Sequence, residues 1–157
     1  MKISNLLTTD KIIPELKGKG KEEVINELID LLKDDENVSD LERIRSAVIE
    51  REKIMSTGVG KGFAIPHAKT LAAKDILVAF GRLKTPIDFK SLDGEPVNLV
   101  FLLIGRENMV GPHIRLLSRI SRMMNKDSFR EDMLKAKSSE EILSIFSEEE
   151  KNYLDIA

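Results

Sequence analysis

Two histidines, one arginine and a glycine-rich turn are the groups in this chain whose types and spacing could do chemistry. His67 follows the run Gly62-Phe63-Ala64-Ile65-Pro66, and His113 follows Gly111-Pro112. A neutral imidazole is a good nucleophile and readily forms covalent intermediates. Pro66 fixes its own φ and withholds an N–H, so a strand over Phe63–Ile65 is expected to stop there, with His67 just past its tip and facing a crevice. Pro112 suits the start of a helix, where its missing donor had no intrahelical partner in any case. His113 is therefore expected in a first helical turn, among free backbone N–H groups at the positive end of the dipole, which attracts anions and disfavours imidazolium. Each residue also has a plain reading, His67 as a core histidine and His113 as a locally bonded one.

The arginine precedes the turn. At 100° per residue, Arg51 falls beside Ile44 and Val48 on the edge of a buried helical stripe, and Glu52 falls near it too. Such a charge either snorkels or pairs locally, or it is a guanidinium held where an anion will come. The glycine turn Thr57, Gly58, Gly60, Gly62 starts a few residues later, which favours the anion. The turn is no nucleotide loop. Met55 stands where the first glycine of a Walker loop would be, Gly62 stands where its Ser or Thr would be, and the third glycine of a dinucleotide fingerprint comes one residue early. No H-E-x-x-H or G-x-S-x-G occurs, so zinc hydrolysis and a serine triad lack their motifs. Arginine, backbone donors and a helix terminus are the groups that stabilise charge on a transferring phosphoryl, and phosphoryl acceptance by His67 is the hypothesis they support.

The elements that must position these groups read as one domain, 1–157. Hydrophobic residues at 41%, charged at 33% and a formal net charge of −2 describe a globular chain without the basic field of a nucleic-acid binder. Without cysteine there are no disulfides, thiolate metal sites or thiol nucleophiles. No apolar run approaches the ~18 residues of a membrane span, and Met1–Leu7 is too short an apolar run for a signal peptide, so a cytoplasmic protein is expected. Helical spacing runs from Lys21 to Lys33, from a capping box Ser39-x-x-Glu42 to about Lys53, along Ile114, Leu117, Ile120, Ser121 and Met124, and again near 127–135 and 139–146. Glu148 onward is expected to be a frayed tail. Strands are expected at Phe63–Ile65, Ile76–Phe80 and Val97–Ile104, the last closed by Gly105, with a loop over 69–74, a tight turn at Asp93-Gly94 and a short entry strand near Ile12. Strands between helices, with helices last, predict a layered α/β/α domain on a mixed central sheet of about five strands.

Arg51-Glu52-Lys53, Ser56-Thr57-Gly58 and Gly62-Phe63-Ala64-Ile65-Pro66-His67-Ala68 together resemble the signature of the enzyme IIA domains of the fructose/mannitol class. These are domains of the bacterial phosphoenolpyruvate-dependent sugar phosphotransferase system, and they include the nitrogen-regulatory IIA paralogues. The resemblance extends through Val97–Phe101 and His113-Ile114-x-x-Leu117-x-x-Ile120, and so over nearly the whole chain; Phe63 departs from the family's usual aliphatic residue. It implies that His67 accepts a phosphoryl group on Nε2 from the phosphohistidine of the carrier HPr and passes it to a cysteine of a IIB component. His113 would hydrogen-bond the phosphoryl group, Arg51 would offset its charge, and Thr57 with nearby loop groups would assist. No metal and no cofactor are implied. Two roles are consistent with it, sugar phosphocarrier or regulator of target proteins by phosphorylation-dependent binding. A free-standing domain favours regulation; Gly81-Arg82 and Ser91–Gly94 look more like the fructose type. The sugar, the partner's identity and the oligomeric state are not legible.

Overall fold

The computed structural model describes residues 2–153. In chain order these are α1 (Ile3–Leu6), β1 (Ile12–Ile13), α2 (Lys21–Asp30), α3 (Leu41–Ile54), β2 (Gly58–Gly60), β3 (Phe63–Ala64), β4 (His67–Thr70), β5 (Leu77–Ile87), β6 (Val97–Arg106), α4 (Val110–Met124), α5 (Asp127–Lys135) and α6 (Ser139–Glu150). The strands form one mixed sheet in the order β1-β5-β6-β3-β2, with β4 also on β6. β5 and β6 are antiparallel, while β1 on β5, and β3 and β4 on β6, are parallel. There are six strands where about five were expected. The strands not foreseen are β2, within the segment read as a glycine turn, and β4, beyond Pro66. β3 and β4 lie end to end along β6 in one register, Ala64 opposite Val100 and His67 opposite Leu103. The ladder does not end at the proline. Pro66 removes one N–H rung, but its carbonyl still accepts from Leu103 N at 3.0 Å, and pairing resumes at once. Pairing with β6 likewise claims Lys69 and Thr70 for β4, and β6 runs through Gly105 to Arg106.

Alternation along the strands builds two cores. Phe63, Ile65, Val78, Phe80, Leu99, Phe101 and Leu103 face α1, α4, α5 and α6; there Phe146 meets Phe80, Phe101 and Phe129 at ring-centroid distances of 5.1, 5.6 and 5.4 Å. Ala64, Ala68, Leu77, Ala79, Val100, Leu102 and Ile104 face α2 and α3, where Val24, Ile25, Leu28, Ile44 and Val48 cover them. The result is helices, sheet, helices, as the element order predicted.

Several local expectations are corrected. The cap of α3 is Asp40, whose carboxylate accepts from Arg43 N, because Ser39 Oγ is drawn away to donate to Ala72 O at 2.9 Å. The helix read as Lys21–Lys33 ends at Asp30 in a series of turns. The buried stripe of α4 is His113, Leu116, Ile120, Met123 and Met124, one step round from the expected one, and Ile114 is exposed. Glu148–Glu150 are helical, not frayed. Glu150 is buried and accepts from Ile3 N, Ser4 N and Ser4 Oγ, with Arg119 Nη1 at 3.5 Å, so it ties α6 to α1. Residues 154–157, part of the same expected tail, lie outside the described residues.

Candidate functional site

The period of the β3–β4 segment puts His67 on the same face as Phe63 and Ile65, the face covered by α4. His67 opens β4 opposite Leu103, near the carboxyl end of β6, and α4 starts just beyond that end, so the two meet there. His113 comes from that helix start on the buried stripe. The two imidazoles approach to 5.9 Å between centroids at an interplanar angle of 54°. His113 is in the first turn as expected, but its own N–H is directed to Met109 O at 3.4 Å rather than left free. His113 is 3% exposed, and the Nδ1 edge of its ring packs against Gly105. A Cβ at Gly105 would sit 2.3 Å from His113 Nδ1, so only glycine there lets the ring in.

The two rings are tuned to stay neutral. Burial lowers the pKa of His113 to about 4, and the nearby charges of His67 and Lys69 push the same way. Burial also lowers that of His67; the hydrogen bond to Ile65 O opposes it, Arg51 adds to it, and Glu52 opposes it. His67 Nδ1 lies 2.8 Å from Ile65 O. A carbonyl only accepts, so in the neutral ring Nδ1 carries the hydrogen and Nε2 keeps its lone pair.

His67 opens on a groove of about 500 Å³ between the glycine turn and α4. Arg51 and Arg122 contribute to its wall, together with Ser56, Thr57 and Ser118, and no carboxylate does. Val59, Leu92 and Ile114 on its rim are 44%, 83% and 57% exposed, an apolar edge around a cationic floor. Arg51 stands at the carboxyl end of α3 and donates to Met55 O at 2.8 Å, so its guanidinium is positioned by a neutral carbonyl and keeps its charge for another anion. Thr57 is among the residues that line the groove, but its hydroxyl donates to Glu52 Oε1 at 2.5 Å. Sequence reasoning noted Glu52 near the stripe without giving it a role and read Gly105 only as the end of a strand; Arg122 and Ser118 went unnoticed. The signal for Glu52 was a carboxylate at a buried helical position. Gly105 and Arg122 had none, since only the packing of α4 brings them to the site. No group of acidic, histidine or cysteine side chains that could hold a metal occurs among the described residues, and none of their helices is long and apolar enough to cross a membrane.

Residues 5–149 match the family model described as phosphoenolpyruvate-dependent sugar phosphotransferase system, EIIA 2. The fructose-specific EIIABC component of Bacillus subtilis (strain 168) is 38% identical over 151 residues. That is 96% of this chain but 24% of the relative, so the chain spans about a quarter of that protein. Among solved structures, the nitrogen regulatory protein IIA-Ntr from Neisseria meningitidis superposes with a TM-score of 0.86 at 32% identity, covering 92% of this chain and 98% of that one. The complex of enzyme IIA mannitol with phosphorylated enzyme IIB mannitol from Escherichia coli matches with a TM-score of 0.76 at 21% identity over 91% of this chain and 99% of that one, a likeness of fold. The chain belongs to the EIIA 2 family of the phosphoenolpyruvate-dependent sugar phosphotransferase system, a family of phosphotransfer proteins.

Proposed function

We propose that this chain is a phosphohistidine carrier in which His67 Nε2 takes a phosphoryl group from the phosphohistidine of an HPr-type protein and yields it to a cysteine thiolate of a IIB component. The observation that supports it most is the Nδ1 contact to Ile65 O, which leaves the Nε2 lone pair for the groove. In the first transfer that lone pair forms the new N–P bond while the N–P bond to the donor breaks, its electron pair returning to the donor imidazole. The proton stays on Nδ1, where Ile65 O supports the positive charge the ring acquires. A ring held in that form is also a good leaving group when the thiolate attacks phosphorus in the second transfer. Arg51 faces the charge on the phosphoryl oxygens. His113, neutral because it is buried, offers them a hydrogen bond rather than a competing titration. The apolar rim of Val59, Leu92 and Ile114 suits a protein partner that excludes water around the transfer. The place of such transfers is the cytoplasm.

The test is direct. Incubation with phosphoenolpyruvate, enzyme I and HPr is expected to give one acid-labile, base-stable phosphate per chain, and His67→Ala to give none; labelling that persists in the variant overturns the assignment. A second reading is regulation of target proteins according to phosphorylation state. It is supported by the likeness to the nitrogen regulatory structure, 32% identical with a TM-score of 0.86. Transfer from the labelled protein to a panel of IIB components decides between them: a thiol acceptor supports the carrier in sugar uptake, and none supports regulation.

A further inference from the structure

We propose that Glu52 is a positioning residue that sets the His67 ring through a continuous chain of hydrogen bonds, Lys21–Glu52–Thr57–Ile65–His67. Lys21 Nζ on α2 lies 2.9 Å from Glu52 Oε2 at the end of α3. Thr57 donates to the same carboxylate twice, from its N–H to Oε2 at 2.9 Å and from its hydroxyl to Oε1 at 2.5 Å. Thr57 O then accepts from Ile65 N at 3.0 Å, and Ile65 O takes the His67 Nδ1 contact at 2.8 Å. The link at Ile65 gives the chain its leverage. β3 has ended at Ala64 and Pro66 has no N–H, so among the described residues Thr57 is the backbone partner that holds Ile65 in place. If Ile65 shifts, its carbonyl, the acceptor that selects the His67 tautomer, moves with it.

Glu52 is also an unusual place to spend a carboxylate. It is 6% exposed, as is Thr57, and burying a carboxylate costs several kcal/mol unless partners and a countercharge compensate it. Among the described residues its partners are Thr57 and Lys21, whose ammonium also lies 5.2 Å from the Phe89 ring centroid. The consequence reaches the neighbouring residue. With both oxygens engaged elsewhere, Glu52 does not pair with Arg51, whose guanidinium is bonded to the Met55 carbonyl. A carboxylate one residue away thus organises the site without cancelling its cation.

This inference rests on His67 as the phosphoryl acceptor, but its decisive readout does not. Ring-nitrogen NMR of the unphosphorylated protein at about pH 8, where histidine is neutral, reports the tautomer directly. Wild-type His67 is expected to show a protonated Nδ1 and an unprotonated Nε2. Thr57→Val, which removes one hydroxyl at nearly constant shape, and Glu52→Gln are each expected to mix the two tautomers. Both are expected to slow phosphorylation by HPr about ten- to a hundredfold, the cost of a misplaced reacting group. Thr57→Ser is expected to restore both readouts. Variants with native amide spectra that keep the wild-type tautomer overturn the proposal, even if their rates fall, because that pattern belongs to a merely structural residue. Should Glu52→Gln fail to fold, Thr57→Val decides, since it leaves the Lys21–Glu52 pair intact. If wild-type protein takes no phosphate at all, the carrier reading falls while the tautomer comparison still stands or fails by itself.

Discussion

A histidine that accepts a phosphoryl group must be neutral when it attacks, and a second histidine beside it must not compete for the proton. Both conditions are met by burial rather than by any special neighbour, since burial is the largest influence on each ring. A stability prediction follows for His113. In the unfolded chain it titrates near 6.5, and in the fold at about 4. Between those values the unfolded chain binds a proton that the native site refuses, so stability is intact above about pH 6.5 and falls as pH drops towards about pH 4. The expected loss is on the order of 2–3 kcal/mol by about pH 4.5. Urea midpoints measured across that range for wild type and for His113→Asn isolate it, because the variant should lack this part of the slope. At the residue scale the sequence singled out His67 and His113, which the fold brings to 5.9 Å, Arg51, which lines the same groove as His67, and Thr57, whose hydroxyl is engaged elsewhere. A hydroxyl beside a glycine turn reads as a ligand; only the fold reveals that a buried Glu52 claims it.

Among the elements, the distance between α4 and β6 decides whether a site exists. Gly105 lies on the α4 face of β6, two residues beyond Leu103, which is opposite His67. The ring of His113 rests where its Cβ would be. Gly105→Ala is therefore expected to displace that ring, destabilise the protein by about 1–3 kcal/mol and slow phosphoryl transfer. The companion variant Gly105→Ala/His113→Ala should recover much of the stability but not the rate; denaturation and transfer assays on the pair check both. The opposite wall is braced in a similar manner. Ser91 packs against Gly58 so closely that a Cβ there would come within 2.3 Å of its hydroxyl, and Asp93 accepts from Lys61 N at 2.9 Å. The connection between β5 and β6 thus shapes the glycine turn from outside while Glu52 holds it from inside. Periodicity identified α2 to α6 and the cores of the two long strands because their apolar stripes are local. It stopped the strand at Pro66 because a proline's missing N–H is visible in sequence, whereas the partner strand that tolerates one lost rung is not.

Across the whole molecule, the two ends of the described chain are fastened to each other rather than left loose. Glu150, 1% exposed, closes over the first turn of α1, and Arg82 Nη1 donates to Met133 O and Ala136 O while its Nε donates to Pro14 O, tying β5 to the end of α5 and the exit of β1. Glu150→Ala removes the acceptor of two backbone donors, Ile3 N and Ser4 N, and of the Ser4 hydroxyl. It is expected to cost about 1–3 kcal/mol in urea unfolding and to speed hydrogen exchange at Ile3–Leu7, with the His67 site unaffected. Equal exchange in wild type and variant would show that the clasp contributes nothing. The acidic run Glu148-Glu149-Glu150 looked like a solvated tail because charge runs usually are. Its third carboxylate is exceptional for a tertiary reason, the arrival of unpaired N–H groups from the other end of the chain.

What this sequence determined by itself was the chemistry and the layers: two imidazoles, an arginine and a glycine turn, on alternating apolar segments that had to stack as helices about a sheet. Those are local properties, fixed by residue type and by periods of two and 3.6. The tertiary structure alone decided the orientation of those groups. Register on β6 turned His67 towards α4, a missing Cβ at Gly105 admitted His113, and a buried carboxylate on α3 held the turn that holds Ile65. Each of these is a contact between segments distant in sequence, and its geometry comes into being only when the sheet closes on its two helical layers.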